Sequence, residues 1–199
     1  MNVVLDWDGT VTELDSLNMV LERFGDPDVY AEAEAALGRG WTLRQVMDWE
    51  FSGLREPLEV VVAWMVENVR VRRGFVAFAR AFQPVILSSS FVETIEPILA
   101  REGVRVPVVA NSVEARLDGW RIHWRDDTAC AHCSEACKRG ALPPDGTVIF
   151  VGDGYSDRCA ALAADRVFAR DGLAGYLDER GVRYEPFEDF EQLGALLRH

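Results

Sequence analysis

The chain has 199 residues, of which 49% are apolar and 27% are charged, and its formal net charge is −12. This composition predicts one folded domain, with room for a small insert, and excludes a disordered chain. The acidic balance argues against nucleic acid or an anionic membrane as a partner, because both attract basic surfaces. A small anionic substrate stays possible, since a bound cation can reverse the field inside one cleft.

The apolar segments predict a cytoplasmic protein. Residues 3–5 are apolar but are followed at once by Asp6, which is unlike a secretion signal. The longest apolar segment, residues 58–66, contains Glu59 and is too short to cross a bilayer. We expect a monomer or a homodimer.

The first third of the chain is predicted to be one short strand followed by helices. Residues 3–5 are all apolar, as expected for a strand buried on both faces. Four helices are predicted before residue 73: residues 16–24, ended by Gly25; residues 31–37, ended by Gly38; one capped by Thr42 and reaching Phe51; and one opened by Pro57.

Strands and helices alternate in the rest of the chain. Strands are predicted at residues 84–87, 106–110, 148–151 and, as the last, 167–169, with a hairpin over residues 113–124 turning at Asp118 and Gly119. Helices are predicted at residues 75–81, from about 91 to 102, at 136–142 and at 156–164. This order predicts a mostly parallel sheet with helices on both faces, which binds ligands at the carboxyl ends of its strands.

Polar side chains follow three of the predicted strands. Asp6 and Asp8 follow the first, Ser88 the second and Asp153 the one at residues 148–151. Two carboxylates beside a hard cation suit a division of roles in which one attacks phosphorus and the other moves protons. Each segment alone would also fit an ordinary polar turn. Lys138 stands out because the chain has 20 arginines and this single lysine, so a site that needs a compact ammonium is indicated.

Four segments together resemble the motifs of the haloacid dehalogenase superfamily of phosphatases. They are DWDGTVT at residues 6–12, Ser88 after an apolar run, Lys138, and GDGYSD at residues 152–157. The resemblance implies that Asp6 is the nucleophile and Asp8 the general acid/base, and the second acid speaks against a dehalogenase. It also implies that Ser88, helped by Ser89, and Lys138 hold the phosphoryl group.

The resemblance further implies a magnesium ion and a two-part fold. The ion would be held by Asp6, the carbonyl of Asp8 and Asp153, while Asp157 would bind a metal-bound water or orient Lys138. The fold would be α/β, a Rossmann-like parallel sheet with helices on both faces. Residues 1–13 and 73–199 would form the core domain, and residues 14–72 a helical cap inserted after the first strand.

Two subfamilies compete for the substrate, a small phosphorylated metabolite. Phosphoserine phosphatases are similar in the cap, and Asp15 stands near the position of their substrate-binding glutamate. At the position expected for their cap arginine, however, this chain has acids, and neither Arg44 nor Arg55 aligns well with that arginine. The methionine-salvage phosphatases acting on 2-hydroxy-3-keto-5-methylthiopentenyl-1-phosphate are similar in an early aspartate, in the Cys-rich segment 133–138 and in the segment 168–171. The second resemblance is the closer one. Transfer of phosphate to an alcohol and a regulatory protein that only binds a phosphometabolite are the alternatives.

Three cysteines lie within eight residues. Cys130, Cys133 and Cys137 have spacing typical of a zinc site, with His132, His123 or Asp126 as a possible fourth ligand. A small buried thiol cluster is the other interpretation. The sequence leaves both open.

Overall fold

The computed structural model describes residues 1–198 and contains one sheet of seven strands. The strands are β1 Asn2–Leu5, β2 Val85–Phe91, β3 Val108–Arg116, β4 Gly119–His123, β5 Val148–Gly152, β6 Arg166–Ala169 and β7 Glu185–Pro186. Their order in the sheet is β4-β3-β2-β1-β5-β6-β7. Every neighbouring pair is parallel except β3 and β4. The predicted parallel α/β sheet is thus confirmed.

Helices account for most of the remaining elements. They are α1 Ser16–Phe24, α2 Pro27–Ala36, α3 Leu43–Ser52, α4 Leu58–Asn68, α5 Phe75–Phe82, α6 Val92–Arg101, α7 Arg158–Ala161, α8 Asp171–Glu179 and α9 Phe190–Leu196. Two single turns of 3-10 helix occur at Lys138–Ala141 and Tyr155–Asp157. No helix of the described chain is long and apolar enough to span a membrane.

Helices cover both faces of the sheet, as predicted. Val3 and Leu5 of β1 belong to one buried cluster, together with residues of α5, α6 and α9. Val4, between them, belongs to a second cluster with residues of α7 and α8. Because successive side chains of a strand point to opposite faces, the two clusters lie on opposite sides of the sheet.

The segment 14–72, called the helical insert below, contains α1 to α4 and packs on the β3–β4 side of the molecule. Its two ends meet in an antiparallel bridge between Thr12 and Val71. Phe51 packs edge-on against Phe91 of β2 and stacks on Trp120 of β4, with ring centroids 5.0 and 6.1 Å apart. These rings anchor α3 beside the end of the sheet that carries the polar residues.

Several predicted boundaries were wrong. Ser88, Ser89 and Ser90 lie inside β2, which continues to Phe91, and do not form a turn after it. The strand predicted at residues 106–110 and the first arm of the hairpin are one strand, β3, parallel to β2 in its first half and antiparallel to β4 in its second.

Other differences concern helices and the end of the chain. The second helix starts at Pro27, because Asp26 caps it through the backbone N–H groups of Asp28 and Val29. The helix predicted at residues 136–142 is only a 3-10 turn. The helix predicted at residues 156–164 is a 3-10 turn followed by the short helix α7. The strand at residues 166–169 is not the last, since α8, β7 and α9 follow it.

Candidate active site

The centre of the sheet brings the predicted site residues together. β1 lies between β2 and β5, with Leu5 opposite both Ile86 and Val151. Asp6 therefore leaves β1 between the strand that contains Ser88 and the strand that precedes Asp153. The sequence separates these residues widely, and the strand order places them side by side.

A tight loop after β1 depends on Gly9. Its φ is +69°, and a Cβ there would come within 2.2 Å of Oδ2 of Asp153. A side chain at this position would thus be strained and would displace an acid of the site. Thr10, the next residue, donates its hydroxyl to Oδ1 of Asp153 at 2.8 Å, which ties the loop after β1 to the loop after β5.

Arg72 holds the outside of this loop. Its guanidinium donates to the carbonyls of Thr10 at 2.9 Å and Gly9 at 2.6 Å, and more weakly to those of Thr12 and Glu13. A planar fork with five donors can satisfy several converging carbonyls, which an ammonium cannot. Arg72 thus fixes the conformation of the loop that carries Asp6 and Asp8.

Lys138 lies in the interior, against two carboxylates. Its side chain is 1% exposed, and Nζ donates to Oδ1 of Asp6 and, at 2.7 Å, to Oδ1 of Asp157. Burial alone would lower the pKa of Lys138, but the charges of Asp157 and Asp6 outweigh it and hold that pKa above its ordinary value. Lys138 is therefore a fixed cation between two acids.

Asp157 uses both carboxylate oxygens for positioning. Oδ1 accepts from Lys138, and Oδ2 accepts the backbone N–H groups of Asp153 and Gly154, each at 3.0 Å. Gly152 leaves room for this arrangement, since a Cβ there would meet Oδ2 of Asp157 at 2.6 Å. Of the two roles predicted for Asp157, this geometry favours the one that orients Lys138.

Asp6, Asp153 and Asp157, called the carboxylate cluster below, have oxygens within 4.8 Å of one another. Burial, followed by repulsion from Asp157, raises the pKa of Asp6 well above its ordinary value and that of Asp153 to about 6. One ammonium does not balance three crowded carboxylates. Their oxygens form a donor set that suits a hard divalent cation.

Asp8 points away from this cluster, toward the start of α1. Its Oδ1 accepts from both the backbone N–H and the hydroxyl of Ser16. Burial, and then the charge of Asp15, raises the pKa of Asp8 to about 7 despite these two hydrogen bonds. Asp6 and Asp8 line one cavity.

Ser88 is fully buried on the other side of Asp6. Its hydroxyl accepts the backbone N–H of Ser90 at 2.9 Å. The carbonyl of Ser89 accepts from the side-chain amide of Asn111 at 2.6 Å, and Asn111 is itself held by the N–H of Arg125 at 3.2 Å. These contacts fix the run of three serines beside the cavity.

The cavity above these residues has a volume of about 210 Å³, and the helical insert lines one side of it. Its insert side is partly apolar, through Leu17, Leu21, Leu37, Leu43, Val46, Met47 and Phe51. It also holds three acids, Asp15, Glu34 and Glu50, which are called the insert acids below. No arginine or lysine occurs among the described residues that line it.

The insert acids differ in their contacts. Asp15 caps α1, accepting the N–H of Asn18 at 2.9 Å, and its side chain faces the cavity. Glu50 is 6% exposed, and its Oε1 has no hydrogen-bond partner within the described chain. Burial, then the charges of Glu34 and Asp15, raises the pKa of Glu50 to about 8.

The two arginines considered for the substrate lie elsewhere. Arg44 pairs with Asp127 at 2.6 Å and covers the ring of Trp124. Arg55 donates to the carbonyl of Ser52 at 2.6 Å. Arg44 instead lines a larger neighbouring cavity of about 620 Å³. The two cavities share Leu43, Ser89, Tyr155 and Ser156.

Sequence reasoning missed several residues that build the site. They are Thr10, Ser16, Arg72 and Asn111, each hydrogen-bonded to a residue or loop of the site. Thr10 and Ser16 lie within ten residues of Asp6 and could have been suspected on that ground. Arg72 and Asn111 had no local signal, because their partners are set only by the tertiary fold.

Comparison with known proteins agrees with this geometry. The model of the family described as haloacid dehalogenase-like hydrolase matches residues 3–162. A protein of Exiguobacterium sp. named 2-hydroxy-3-keto-5-methylthiopentenyl-1-phosphate phosphatase is 27% identical over 209 residues, covering 99% of this chain and 97% of that protein. A Bacillus cereus protein of the same name is 25% identical, covering 100% and 96%. The crystal structure of phosphoserine phosphatase from T. onnurineus is 19% identical with a TM-score of 0.69, covering 100% of this chain and 94% of that one.

Proposed function

The chain belongs to the haloacid dehalogenase-like hydrolases, and on that premise we propose that it removes phosphate from a small metabolite through an aspartyl-phosphate on Asp6. The observation that carries this proposal is the convergence of Asp6, Lys138 and the GDGYSD segment at the carboxyl ends of β1 and β5. Residues from three distant parts of the sequence meet within hydrogen-bond distance. They do so in the protein interior, where an unpaired charge is destabilising.

In the first proposed step, a carboxylate oxygen of Asp6 forms a bond to phosphorus while the bond from phosphorus to the leaving oxygen breaks. Asp8 gives its proton to that leaving oxygen. In this proposal the hydroxyl of Ser88 and the ammonium of Lys138 would each donate to a phosphoryl oxygen. Lys138 would reach it from beside Asp6, whose carboxylate it also keeps in position.

In the second step, the Asp8 carboxylate takes a proton from water as the water oxygen bonds to phosphorus. The bond between phosphorus and Asp6 breaks, which releases inorganic phosphate and restores the Asp6 carboxylate. The two hydrogen bonds from Ser16 occupy Oδ1 of Asp8 and fix its side chain beside the cavity, so the other carboxylate oxygen, Oδ2, is the one that would carry the proton in both steps.

The residues present fit a magnesium ion. The carboxylate cluster has three acids against the one ammonium of Lys138. Burial first, and then the charge of Asp157, raises the pKa of Asp6 and of Asp153. Asp6, Asp153 and the carbonyl of Asp8 would hold the ion, while Asp157 stays bound to Lys138. When bound, magnesium would neutralise charge on the transferring phosphoryl group.

We propose that the helical insert, residues 14–72, is a cap, and that residues 1–13 and 73–199 form the core domain. The bridge between Thr12 and Val71 gives the insert a narrow base, and its helices α1, α2 and α3 supply one side of the cavity. A cap of this kind would exclude water and select the leaving group. A cavity closed on that side suits a small substrate.

The chemistry of the insert side favours a leaving group without a carboxylate. Phosphoserine would bring a carboxylate against Asp15, Glu34 and Glu50 with no cation among the described lining residues to pair with it. An uncharged leaving group with an apolar tail would meet the leucines, Met47 and Phe51 instead. We therefore propose 2-hydroxy-3-keto-5-methylthiopentenyl-1-phosphate, the substrate in the names of the two relatives, as the substrate of this chain.

A two-stage assay tests this proposal. Release of phosphate from an aryl phosphate, dependent on magnesium and stopped by EDTA, is the expected first result; its absence at any magnesium concentration would overturn the hydrolase assignment. In the second stage, enol phosphates of neutral keto compounds should show a higher kcat/KM than phosphoserine. A preference for phosphoserine would leave the phosphatase activity standing and overturn the proposed substrate.

A further inference from the structure

A second group of potential metal ligands lies outside the proposed site. Cys130, Cys133 and Cys137 come from the segment between β4 and Lys138, and Cys159 comes from α7. These are the four cysteines of the chain. Their four sulfur atoms all lie within 4.8 Å of one another. The sequence suggested three of these residues as ligands but gave histidines or Asp126 as the fourth.

The spacing of the sulfur atoms is compatible with a tetrahedral thiolate site, and one distance equals the expected value. Four sulfurs about 2.3 Å from one ion, at tetrahedral angles, lie about 3.8 Å apart. The sulfurs of Cys130 and Cys159 are 3.8 Å apart, which is much longer than a disulfide bond of about 2.0 Å. Both cysteines are free, as are the other two.

The backbone around Cys130 is already shaped for a ligand. The N–H of His132 donates to the sulfur of Cys130 at 3.4 Å, and the N–H of Ser134 donates to the carbonyl of Cys130 at 2.8 Å. Ser134 has a φ of +63°, an unusual conformation for serine, which closes the turn. Hydrogen bonds from N–H groups to sulfur stabilise a thiolate and orient it as a ligand.

The segment that carries three of the cysteines is held at its start by contacts of Trp124, Arg125 and Asp127, but it has no regular structure. Residues 124–137, all within the described chain, contain no helix or strand. Loops of this length inside a compact domain are uncommon unless something orders them. The segment nevertheless leads directly into Lys138, which has to be held in one buried position between Asp6 and Asp157.

We propose that Cys130, Cys133, Cys137 and Cys159 bind one zinc ion with a structural role. Four soft thiolates at tetrahedral spacing select zinc among the common hard and soft divalent ions, and a four-thiolate site leaves no open position for catalysis. The ion would join the segment ending at Lys138 to α7, which follows Asp157 directly. It would thus fix both ends of the Lys138–Asp157 contact from outside the cavity.

A hydrophobic cluster of thiols explains the structure less well. Cys130 and Cys137 are only half-buried, and the cluster lines the larger cavity of about 620 Å³ through Cys133, Cys137 and Cys159. Apolar packing does not require sulfur atoms to converge at solvent-facing positions. A metal does require it, and it also needs a path by which to enter.

Metal analysis of the intact protein tests this proposal. Protein purified under reducing conditions without chelators should contain about one zinc per chain, measured by mass spectrometry of the metal. Cys159→Ser should lower the zinc content about tenfold or more. His132→Ala should keep it, because the imidazole is not a ligand, and Asp153→Asn should keep it, because the zinc does not lie at the carboxylate cluster.

A second measurement does not depend on any variant. The wild-type protein loaded with cobalt in place of zinc should show the absorption of tetrahedral cobalt bound by thiolates.

Three results would overturn the proposal: protein that lacks zinc even after refilling under reducing conditions, protein that contains iron in its place, or a disulfide between Cys130 and Cys159. Loss of zinc from His132→Ala or its retention by Cys159→Ser would overturn the ligand set. None of these results depends on phosphatase activity.

Discussion

The carboxylate cluster and the insert acids line the same cavity, and buried acids occur in both: Asp6 and Asp157 in the first and Glu50 in the second. They differ in what compensates their charge. The carboxylate cluster has Lys138, the hydroxyl of Thr10 and two backbone N–H groups as partners. Glu50 of the insert acids has an oxygen without a partner among the described residues.

This difference separates two uses of acidic side chains. Acids fixed by an internal cation and by backbone donors are held at defined positions, as a nucleophile and a metal ligand have to be. Acids without such partners stay sensitive to protonation and to whatever enters the cavity. The first group is expected to determine the rate of reaction, and the second to influence stability and the choice of leaving group.

Removal of the nucleophile should have the largest effect. Asp6→Asn keeps the shape of the side chain and its contact with Lys138 but removes the attacking carboxylate, so kcat should fall by about 10⁴-fold or more. The unfolding transition should stay close to that of the wild type in thermal denaturation. Asp145→Asn, at an exposed loop position, is the matched control and should keep full activity; a comparably active Asp6→Asn enzyme would contradict the mechanism.

Removal of the internal cation should affect both stability and activity. Lys138→Met leaves Asp6 and Asp157 buried without their partner, and the free energy of unfolding should fall by about 3–5 kcal/mol. Activity should fall by at least about 10²-fold, since a donor to the phosphoryl group is lost. Urea denaturation measures the first effect. A variant as stable as the wild type would show that the cluster does not depend on Lys138.

Loss of a single hydroxyl should have a smaller effect. Thr10→Val keeps the shape but removes the donor to Asp153, which costs about 1 kcal/mol because the half-buried acceptor loses its partner. The magnesium concentration for half-maximal activity should change more than the KM for substrate. Thr128→Val, in the exposed segment before the cysteines, is the control. If Thr10→Val and the wild type have the same magnesium dependence, Thr10 does not influence the metal site.

The last predicted effect concerns the insert acids and pH. Glu50 has a pKa of about 8 when folded against an ordinary value of 4.5, so the folded protein keeps a proton that the unfolded chain releases between these pH values. Stability contributed by this proton therefore falls as pH rises from about 5 to 8. Glu50 faces Glu34 of α2 and Asp15 before α1, and both charges add to the effect.

Glu50→Gln removes this titration. The wild type should lose about 1–2 kcal/mol more than the variant between pH 5 and pH 8, allowing for partial solvent screening. Each kcal/mol of that difference corresponds to a shift of roughly 2–4 °C in Tm. Glu32→Gln, on the exposed side of α2, controls for the loss of one acid. Parallel Tm curves for wild type and Glu50→Gln would show that Glu50 is not a source of the pH dependence.

The parts of the structure that sequence predicted well are those with local signals. α1 begins and ends where Asp15 and Gly25 indicate, and α3 starts at Thr42, which forms a capping box with Gln45. The order of strands and helices was sufficient to place Asp6, Ser88 and Asp153 at one edge of the sheet, because parallel strands align their carboxyl ends.

The parts that were wrong or missed depend on long-range contacts. Three serines usually indicate a turn. Here β2 pairs with β3 at Leu87 before them and at Phe91 after them, with a register shift between, and Asn111 donates to the carbonyl of Ser89. The sequence spacing between Cys130 and Cys159 is not that of a metal-binding motif. Nothing in the sequence around Arg72 indicates that four loop carbonyls accept hydrogen bonds from it. Only the folded chain brings these partners together.

Direct detection of the phosphorylated enzyme tests the central claim most closely. Wild-type protein mixed with an aryl phosphate and magnesium, then quenched in acid during turnover, should carry one phosphoryl group on Asp6. Borohydride reduces that aspartyl-phosphate to homoserine with release of phosphate, so mass spectrometry should find homoserine at position 6 of the peptide. Asp8→Asn should accumulate the aspartyl-phosphate, because the second step lacks its base, and Asp6→Asn should not form it. Turnover of the substrate with Asp6 unmodified in both wild type and Asp8→Asn would contradict the account.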